Sequence, residues 1–315
     1  QQAGMACAAS TSVTALNRCA SSTARLPLAC ALRKRSTRIG RTSVTLTLAR
    51  EAGASATRRG ALASVVCSLV YSRTVPVMAS AGTRSEFEKV LDEPNWPDTW
   101  PYRPEDFGRY DESSDTLFYD APRFVTHIDD AAISALTKHY EETFPPSSSK
   151  DVAILDMCSS WISHYPKGYT ASRISGLGMN EAELARNSVL TDYELKDLNT
   201  DPTLPYEDNT FDVITNAVSV DYLNKPREVF KEMHRVLKPG GTAMMSFSNR
   251  CFPTKAISIW TASGDLDHVW IVGSYFHYTP GFTAPKARDI SPPPGMFGMT
   301  SDPMYVVYAT KRHEM

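Results

Sequence analysis

Two groups of side chains in this 315-residue chain stand where they could do chemistry. His127 and Asp129 sit two residues apart, just ahead of a helical pattern. An imidazole and a carboxylate so placed suit an acid/base pair on a lid over a site, or simply the capping and packing of the helix that follows. The second group is a set of polar residues at the ends of short apolar runs: Asp156, Ser159 and Ser160, then Gly178 and Asn180, then Asn216 followed by Asp221 and Tyr222. If those runs are parallel strands, these residues lie beyond the carboxyl ends, where open α/β sheets hold their ligands. Other chemistries find less support. The seven histidines are scattered without an HExxH, and no CxxC occurs, so no metal site is expected. No G-x-G-x-x-G follows any apolar run, which argues against a nicotinamide-dependent oxidoreductase.

The elements that must position these residues can be read from periodicity. From Asp151 onward short apolar runs alternate with amphipathic stretches, the pattern of a parallel sheet covered by helices. Strands are predicted over residues 152–156, 172–177, 211–216 and 241–247, with a terminal strand over 304–309. Between the third and fourth lies a helix that Asn224 can cap and whose first turn suits Pro226. Val229, Phe230, Met233, Val236 and Leu237 form its core-facing stripe, and Gly240 and Gly241 are predicted to end it. Upstream, Ile133, Leu136, Tyr140 and Phe144 recur at helical spacing, so a helix is predicted from Asp129 or Asp130 to just before Pro145. Residues 95–101, punctuated by prolines and two tryptophans, should be irregular.

Charge divides the chain. Residues 1–81 hold 11 Lys/Arg and one acid, Glu51, while the remainder holds 22 bases and 34 acids. An acidic body argues against a nucleic-acid binder, which needs a basic face. Residues 1–57, rich in Ser, Thr, Ala and Arg, have the composition of an organellar transit peptide; a basic disordered tail is the alternative. Arg58-Arg59 then precedes an 11-residue apolar run, residues 61–71, and Ala79-Ser80-Ala81 follows as a small-x-small cleavage pattern. The run is too short to span a bilayer, so no transmembrane span is expected, and the arrangement resembles a twin-arginine signal. The expected location is therefore the chloroplast, in the stroma or the thylakoid lumen, with Met5 a candidate initiator. The domains expected are 1–81 as leader, 82–150 as an extension or lid, and 151–315 as the folded α/β body.

A resemblance makes the reading specific. Leu204-Pro205-Tyr206-Glu207-Asp208-Asn209-Thr210-Phe211-Asp212, followed by Glu232-Met233-His234-Arg235-Val236-Leu237-Lys238-Pro239-Gly240-Gly241, resembles the type-11 family of class I S-adenosylmethionine (SAM)-dependent methyltransferases. The resemblance covers roughly residues 151–250 and the last strand. It implies a Rossmann-like three-layer αβα fold, with a mostly parallel seven-stranded sheet whose last strand is antiparallel. It implies SAM as cofactor, with Asp197 on the adenine amino group beside Leu198, and Asp156, Ser159, Ser160 and Asn216 around the ribose and methionine. Residues 156–162 stand where the family has D-x-G-x-G-x-G, and each glycine is replaced, by Cys158, Ser160 and Ile162; Trp161 is expected to line the pocket. The acid that holds the ribose in the family falls on Gly178, so Asn180 or Glu181 is the substitute expected there. His127, His164 and Tyr222 are the candidate general bases for a hydroxyl or amine acceptor. Structural roles remain open for Asp156 (satisfying local N–H groups), Asp197 (forming a turn) and Asp212. The function implied is methyl transfer to a small molecule; the alternative is a non-catalytic descendant that binds a protein partner or an altered ligand. An open slot reaching Asp197 favours the first, and a slot filled by Trp161 the second.

Overall fold

The computed structural model describes residues 84–295 and 300–313. The leader, with its proposed transit peptide and twin-arginine signal, lies outside the described residues, all of which belong to one compact unit, Pro76–Met315. In chain order the helices are α1 (Glu86–Lys89), α2 (Asp115–Phe118), α3 (Asp130–Thr143), α4 (Glu181–Arg186), α5 (Pro226–Val236), α6 (Ser258–Thr261) and α7 (Asp265–His277). The strands are β1 (Ser149–Met157), β2 (Ala171–Gly178), β3 (Asp192–Leu195), β4 (Phe211–Ala217), β5 (Leu237–Phe247), β6 (Lys286–Asp289) and β7 (Tyr305–Thr310).

The strands form one sheet in the order β3-β2-β1-β4-β5-β7-β6. The first five pair in parallel, and β7 runs antiparallel to both β5 and β6. The chain therefore reverses its direction of travel across the sheet between β1 and β4. Both faces are covered, as the period of two in a buried strand requires. Leu155 and Met157 point into a core with Val229, Phe230 and Met233 of α5 and Val272, Tyr275 and Phe276 of α7. Ile154, just before Leu155, points into the opposite core with Leu136 and Tyr140 of α3. This is the Rossmann-like αβα architecture with an antiparallel last strand.

The stretch from residue 84 to 150 is built into this domain. Leu91 joins one core, and Ile128, Ala132, Leu136 and Tyr140 the other. Helix α3 begins where expected, with the Asp129 carboxylate accepting from the Ala132 amide. Two details of α5 differ from expectation. Lys225, not Asn224, stands at its N-cap, and makes no side-chain cap bond; Pro226 opens the helix as expected. At the other end the helix stops at Val236, and Gly240 and Gly241 lie inside β5. Leu237 turns directly into extended conformation to pair with Phe211, and the register to β4 then shifts before Thr242. Gly240, at φ +83°, absorbs that shift in a conformation that costs other residues energy.

Candidate active site

A cavity of about 280 Å3 lies beyond the carboxyl ends of β1, β2 and β4, at the point where the strand order reverses. Six described non-glycine residues have positive φ, and four of them line it: His127 (64°), Cys158 (57°), His164 (56°) and Val218 (44°). Each costs on the order of 1–3 kcal/mol, and such strain collects where function requires a fixed backbone. Val218 is the most unfavourable, because a β-branched side chain is rarely tolerated there.

The inner wall is the loop after β1. Asp156 is 3% exposed and accepts from three hydroxyls: Ser159 Oγ, Ser163 Oγ at 2.6 Å and Thr215 Oγ1 at 3.1 Å. Burial raises its pKa, with the three donors opposing. Asp156 thus organises the loop from beneath, through hydroxyls and not through the local N–H groups expected from the sequence. Ser160 Oγ donates to Glu183 at 2.6 Å. Cys158 keeps a left-handed turn where the family resemblance places glycine, and burial pushes its thiol up to about 12, which disfavours the thiolate. Gly178 ends β2 directly under this loop: a Cβ there would lie 2.3 Å from the Ser159 carbonyl oxygen. The loop occupies the space in which an acid at 178 would have to stand.

The remaining expected residues fall as follows. Asn180 lines the cavity, but its amide is committed: Oδ1 caps α4 and Nδ2 donates to the carbonyls of Tyr119 and Asp120. Asp197 and Leu198 line the opposite end. The Asp197 carboxylate accepts from the Asn199 amide at 2.9 Å and from Thr200 Oγ1 at 2.7 Å, so it also forms a turn. Asn216 is fully buried behind the wall, donating to the Met157 carbonyl, and Ala217 and Val218 line the cavity in its place. Trp161, expected in the pocket, turns outward: its Nε1 donates to the Val125 carbonyl at 2.9 Å. Asp221, expected at the mouth, is buried beside it, and burial raises its carboxyl to about 8.

The outer wall comes from residues the sequence did not single out, Asp115 to Thr126 of the extension and Arg250 to Phe252 after β5. Their lack of periodicity hid them; the aromatic pair Phe118-Tyr119 was the one available signal. Asp115 fixes this wall. It accepts two bonds from Arg109 Nη1 at 2.7 and 2.8 Å, one from Asn199 Nδ2 at 2.8 Å, and lies 3.2 Å from Lys255 Nζ. Burial alone would raise its carboxyl; the bonds from Asn199 and Arg109 outweigh that and lower it. Extension, β3–β4 loop and post-β5 segment are thereby tied at one carboxylate.

Of the three candidate bases, all line the cavity. Burial lowers His164 to about 4, with the charge of His127 adding to the fall, and its Nδ1 has no hydrogen-bond partner. Burial also lowers His127, which Glu183 opposes and Arg123 reinforces. For both, the shift favours the neutral imidazole. Burial and the neighbouring Asp221 raise Tyr222, which stays a phenol and accepts the Phe252 amide at 2.8 Å. Among the described residues no cluster of three or more His, Cys, Asp or Glu could hold a metal, and no helix is long and apolar enough to cross a membrane.

The motif residues lie elsewhere. Arg235 binds Glu232 through two bonds and donates to the carbonyls of Leu204 and Tyr206, while Glu232 accepts the Leu204 amide. Lys238 donates to Asp212, which accepts the Ala153 amide. The two halves of the motif are one structural clamp.

Residues 157–245 match the family model described as a methyltransferase domain. A ubiquinone/menaquinone biosynthesis C-methyltransferase of Ruegeria sp. is 48% identical over 42 residues, 13% of this chain and 17% of that protein. A malonyl-[acyl-carrier protein] O-methyltransferase of Marinomonas sp. is 27% identical over 66 residues, 21% of this chain and 24% of that one. The matched stretches thus span at most about a quarter of these curated relatives. Among solved structures, an S-adenosylmethionine-dependent methyltransferase of Mesorhizobium loti aligns over 56% of this chain and 98% of its own, at 17% identity and a TM-score of 0.40.

Proposed function

We propose that the chain is a class I SAM-dependent methyltransferase that transfers a methyl group from SAM to a small-molecule acceptor, a reading supported by the match of residues 157–245 to the methyltransferase-domain model. The observation that carries the reading is the slot running open from Ser159 and Gly178 to Asp197 and Leu198, with Trp161 outside it. When bound, SAM supplies a methyl group made electrophilic by its sulfonium sulfur. Asp197 has lone pairs left for the adenine amino group, and Leu198 offers the ring an apolar side. Ser159 and Ser160 spend their protons on Asp156 and Glu183, leaving oxygen lone pairs that suit the ammonium of the methionine moiety. Gly178 brings no carboxylate to the ribose; Glu183, which lines the cavity from the helix after β2, takes that part.

Methyl transfer needs mainly position and exclusion of water, which the strained backbone and the Asp115-tied outer wall provide. For a hydroxyl or amine acceptor, His164 or His127 is held neutral and free to accept the proton, while Tyr222 can only orient. The acidic body favours a small acceptor over nucleic acid. Calorimetric titration of SAM into the full chain tests the reading. Micromolar binding is expected, weakened about tenfold by Asp197→Ala, the loss of one hydrogen bond to a charged group. No heat and no thermal stabilisation at millimolar SAM would leave a non-catalytic, partner-binding descendant.

The acid-poor, Arg- and Ser-rich residues 1–57 and the twin arginine before residues 61–71 support a chloroplast location, in stroma or thylakoid lumen. A fluorescent fusion of residues 1–81 is expected to be imported and cleaved by isolated chloroplasts; a fusion left outside overturns this.

A further inference from the structure

Charge on the cavity wall is balanced unevenly. Each acid there already takes donors from the protein: Asp115 from Arg109 and Asn199, Asp156 from three hydroxyls, Glu183 from Ser160 and the Arg123 amide, Asp197 from Asn199 and Thr200. Most bases are matched too: Lys196 on the wall pairs with Asp201, and behind the wall the buried side chains of Arg109 and Lys255 share Asp115 and also meet Glu112 and Asp111 respectively. Arg123 has no carboxylate within ion-pair distance among the described residues. Its guanidinium carbon stands 4.3 Å from the Phe118 ring centre and 5.7 Å from that of Phe252, and its Nη1 is buried with no hydrogen-bond partner. Arg250 lines the same end of the cavity, with one nitrogen on Asp302 and its side chain 64% exposed.

A guanidinium N–H taken out of water without an acceptor is costly, and aromatic faces repay only part of that cost. Arg is also the side chain whose forked donors fit a carboxylate or phosphate. Arg123 lines the cavity from the extension and Arg250 from the segment after β5, which Arg123 meets at Phe252.

We propose that Arg123, with Arg250 beside it, is an oxyanion receptor for the methyl acceptor, which therefore carries a carboxylate or a phosphate. The proposal rests on the methyltransferase reading for the word acceptor, but the receptor itself is testable without SAM. The phenyl and aliphatic parts of such a ligand would meet Phe252 and Tyr119, and its anionic end the two arginines. The chemistry has a second source, the carboxylate of SAM itself, and the test separates them.

The full chain and its Arg123→Gln and Arg123→Lys variants are titrated at fixed ionic strength with inorganic phosphate, benzoate and phenyl phosphate, and separately with S-adenosylhomocysteine. The expected result is that benzoate or phenyl phosphate binds the parent chain and loses at least tenfold in affinity in Arg123→Gln. Arg123→Lys should fall in between, and S-adenosylhomocysteine affinity should change less than twofold. Whichever of the two aryl anions binds tighter names the group. Should Arg123→Gln fail to fold, Arg123→Lys and Arg250→Gln carry the same comparison. Anion binding that is absent, or equal in parent and variants, overturns the receptor. A tenfold loss of S-adenosylhomocysteine with anion binding unchanged also overturns it and gives Arg123 to the cofactor. Anion binding without any S-adenosylhomocysteine binding supports the receptor and overturns the methyltransferase reading alone.

Discussion

The clamp formed by Leu204, Tyr206, Glu232 and Arg235 and the loop from Asp156 to Ile162 are both dense in polar side chains, and they spend them differently. In the clamp, an ion pair is closed on itself and on backbone groups, at the far side of β4 from the cavity. In the loop, carboxylate and hydroxyls hold a strained backbone against the cavity, with oxygen lone pairs left facing it. The family pattern is kept in the clamp and abandoned in the loop. A loop that touches ligand must fit whatever the ligand and the covering wall require. Here that wall is the extension: Asn180 and Glu183 hold Tyr119, Asp120 and Arg123 in place, and Ser160 of the loop donates to the same Glu183.

The largest expected effect comes from forcing the loop back to the family pattern. Gly178→Asp restores the ribose acid in type but places a Cβ 2.3 Å from the Ser159 carbonyl oxygen. The clash is with the Ser159 main chain and lies at Cβ, so no side-chain rotamer escapes it, and the cost is expected to be about 3 kcal/mol or more. Chemical denaturation measures it. A variant as stable as the parent, with tighter SAM binding, would mean that the loop can retreat, and the contrast with the clamp would collapse.

Cutting the clamp comes next. Arg235→Ala strands Glu232, 18% exposed in its side chain, and removes donors from two backbone carbonyls. A loss of about 2–3 kcal/mol is expected, the cost of leaving a half-buried charge and its acceptors unpaired. Affinity for SAM, measured where the variant is still folded, should stay within about twofold. If affinity fell in step with stability, the clamp would belong to the site after all.

How legible each region was follows from the same physics. Strands β1, β2, β4, β5 and β7 and helices α3 and α5 could be read because each buries one clear face or a continuous apolar run. Strands β3 and β6 have four residues each at the two edges of the sheet, too few to show a period. Helix α7 was hidden for the opposite reason: Val269, Ile271, Val272, Tyr275 and Phe276 are buried around most of its circumference, so no polar face marks it as a helix. In the site, position along the strand ends located the inner wall. It could not tell that Asn216 points away, since successive residues at a strand end face opposite sides of the sheet, nor that Trp161 leans out to Val125. The outer wall depends on contacts more than a hundred residues apart, such as Lys255 with Asp115, which no local pattern encodes.

The smallest expected effect tests the loop most finely. Cys158 holds φ 57° where the family has glycine. Cys158→Gly should relieve left-handed strain worth about 1–2 kcal/mol. Against that stand the extra freedom of glycine in the unfolded chain, roughly 0.5–1 kcal/mol, and the loss of a partly buried thiol packed on the core. These nearly cancel, so the melting temperature should move by no more than about 2–4 °C, the shift that 1 kcal/mol gives in a domain of this size. The informative quantity is SAM affinity. Removing Cβ and sulfur from the cavity wall opens the space that the family leaves open, and a few-fold gain is expected if the wall is merely narrower than the family's. A loss would mean that the thiol face itself contacts the ligand, and that this loop is fitted to its occupant as closely as the clamp is fitted to the fold.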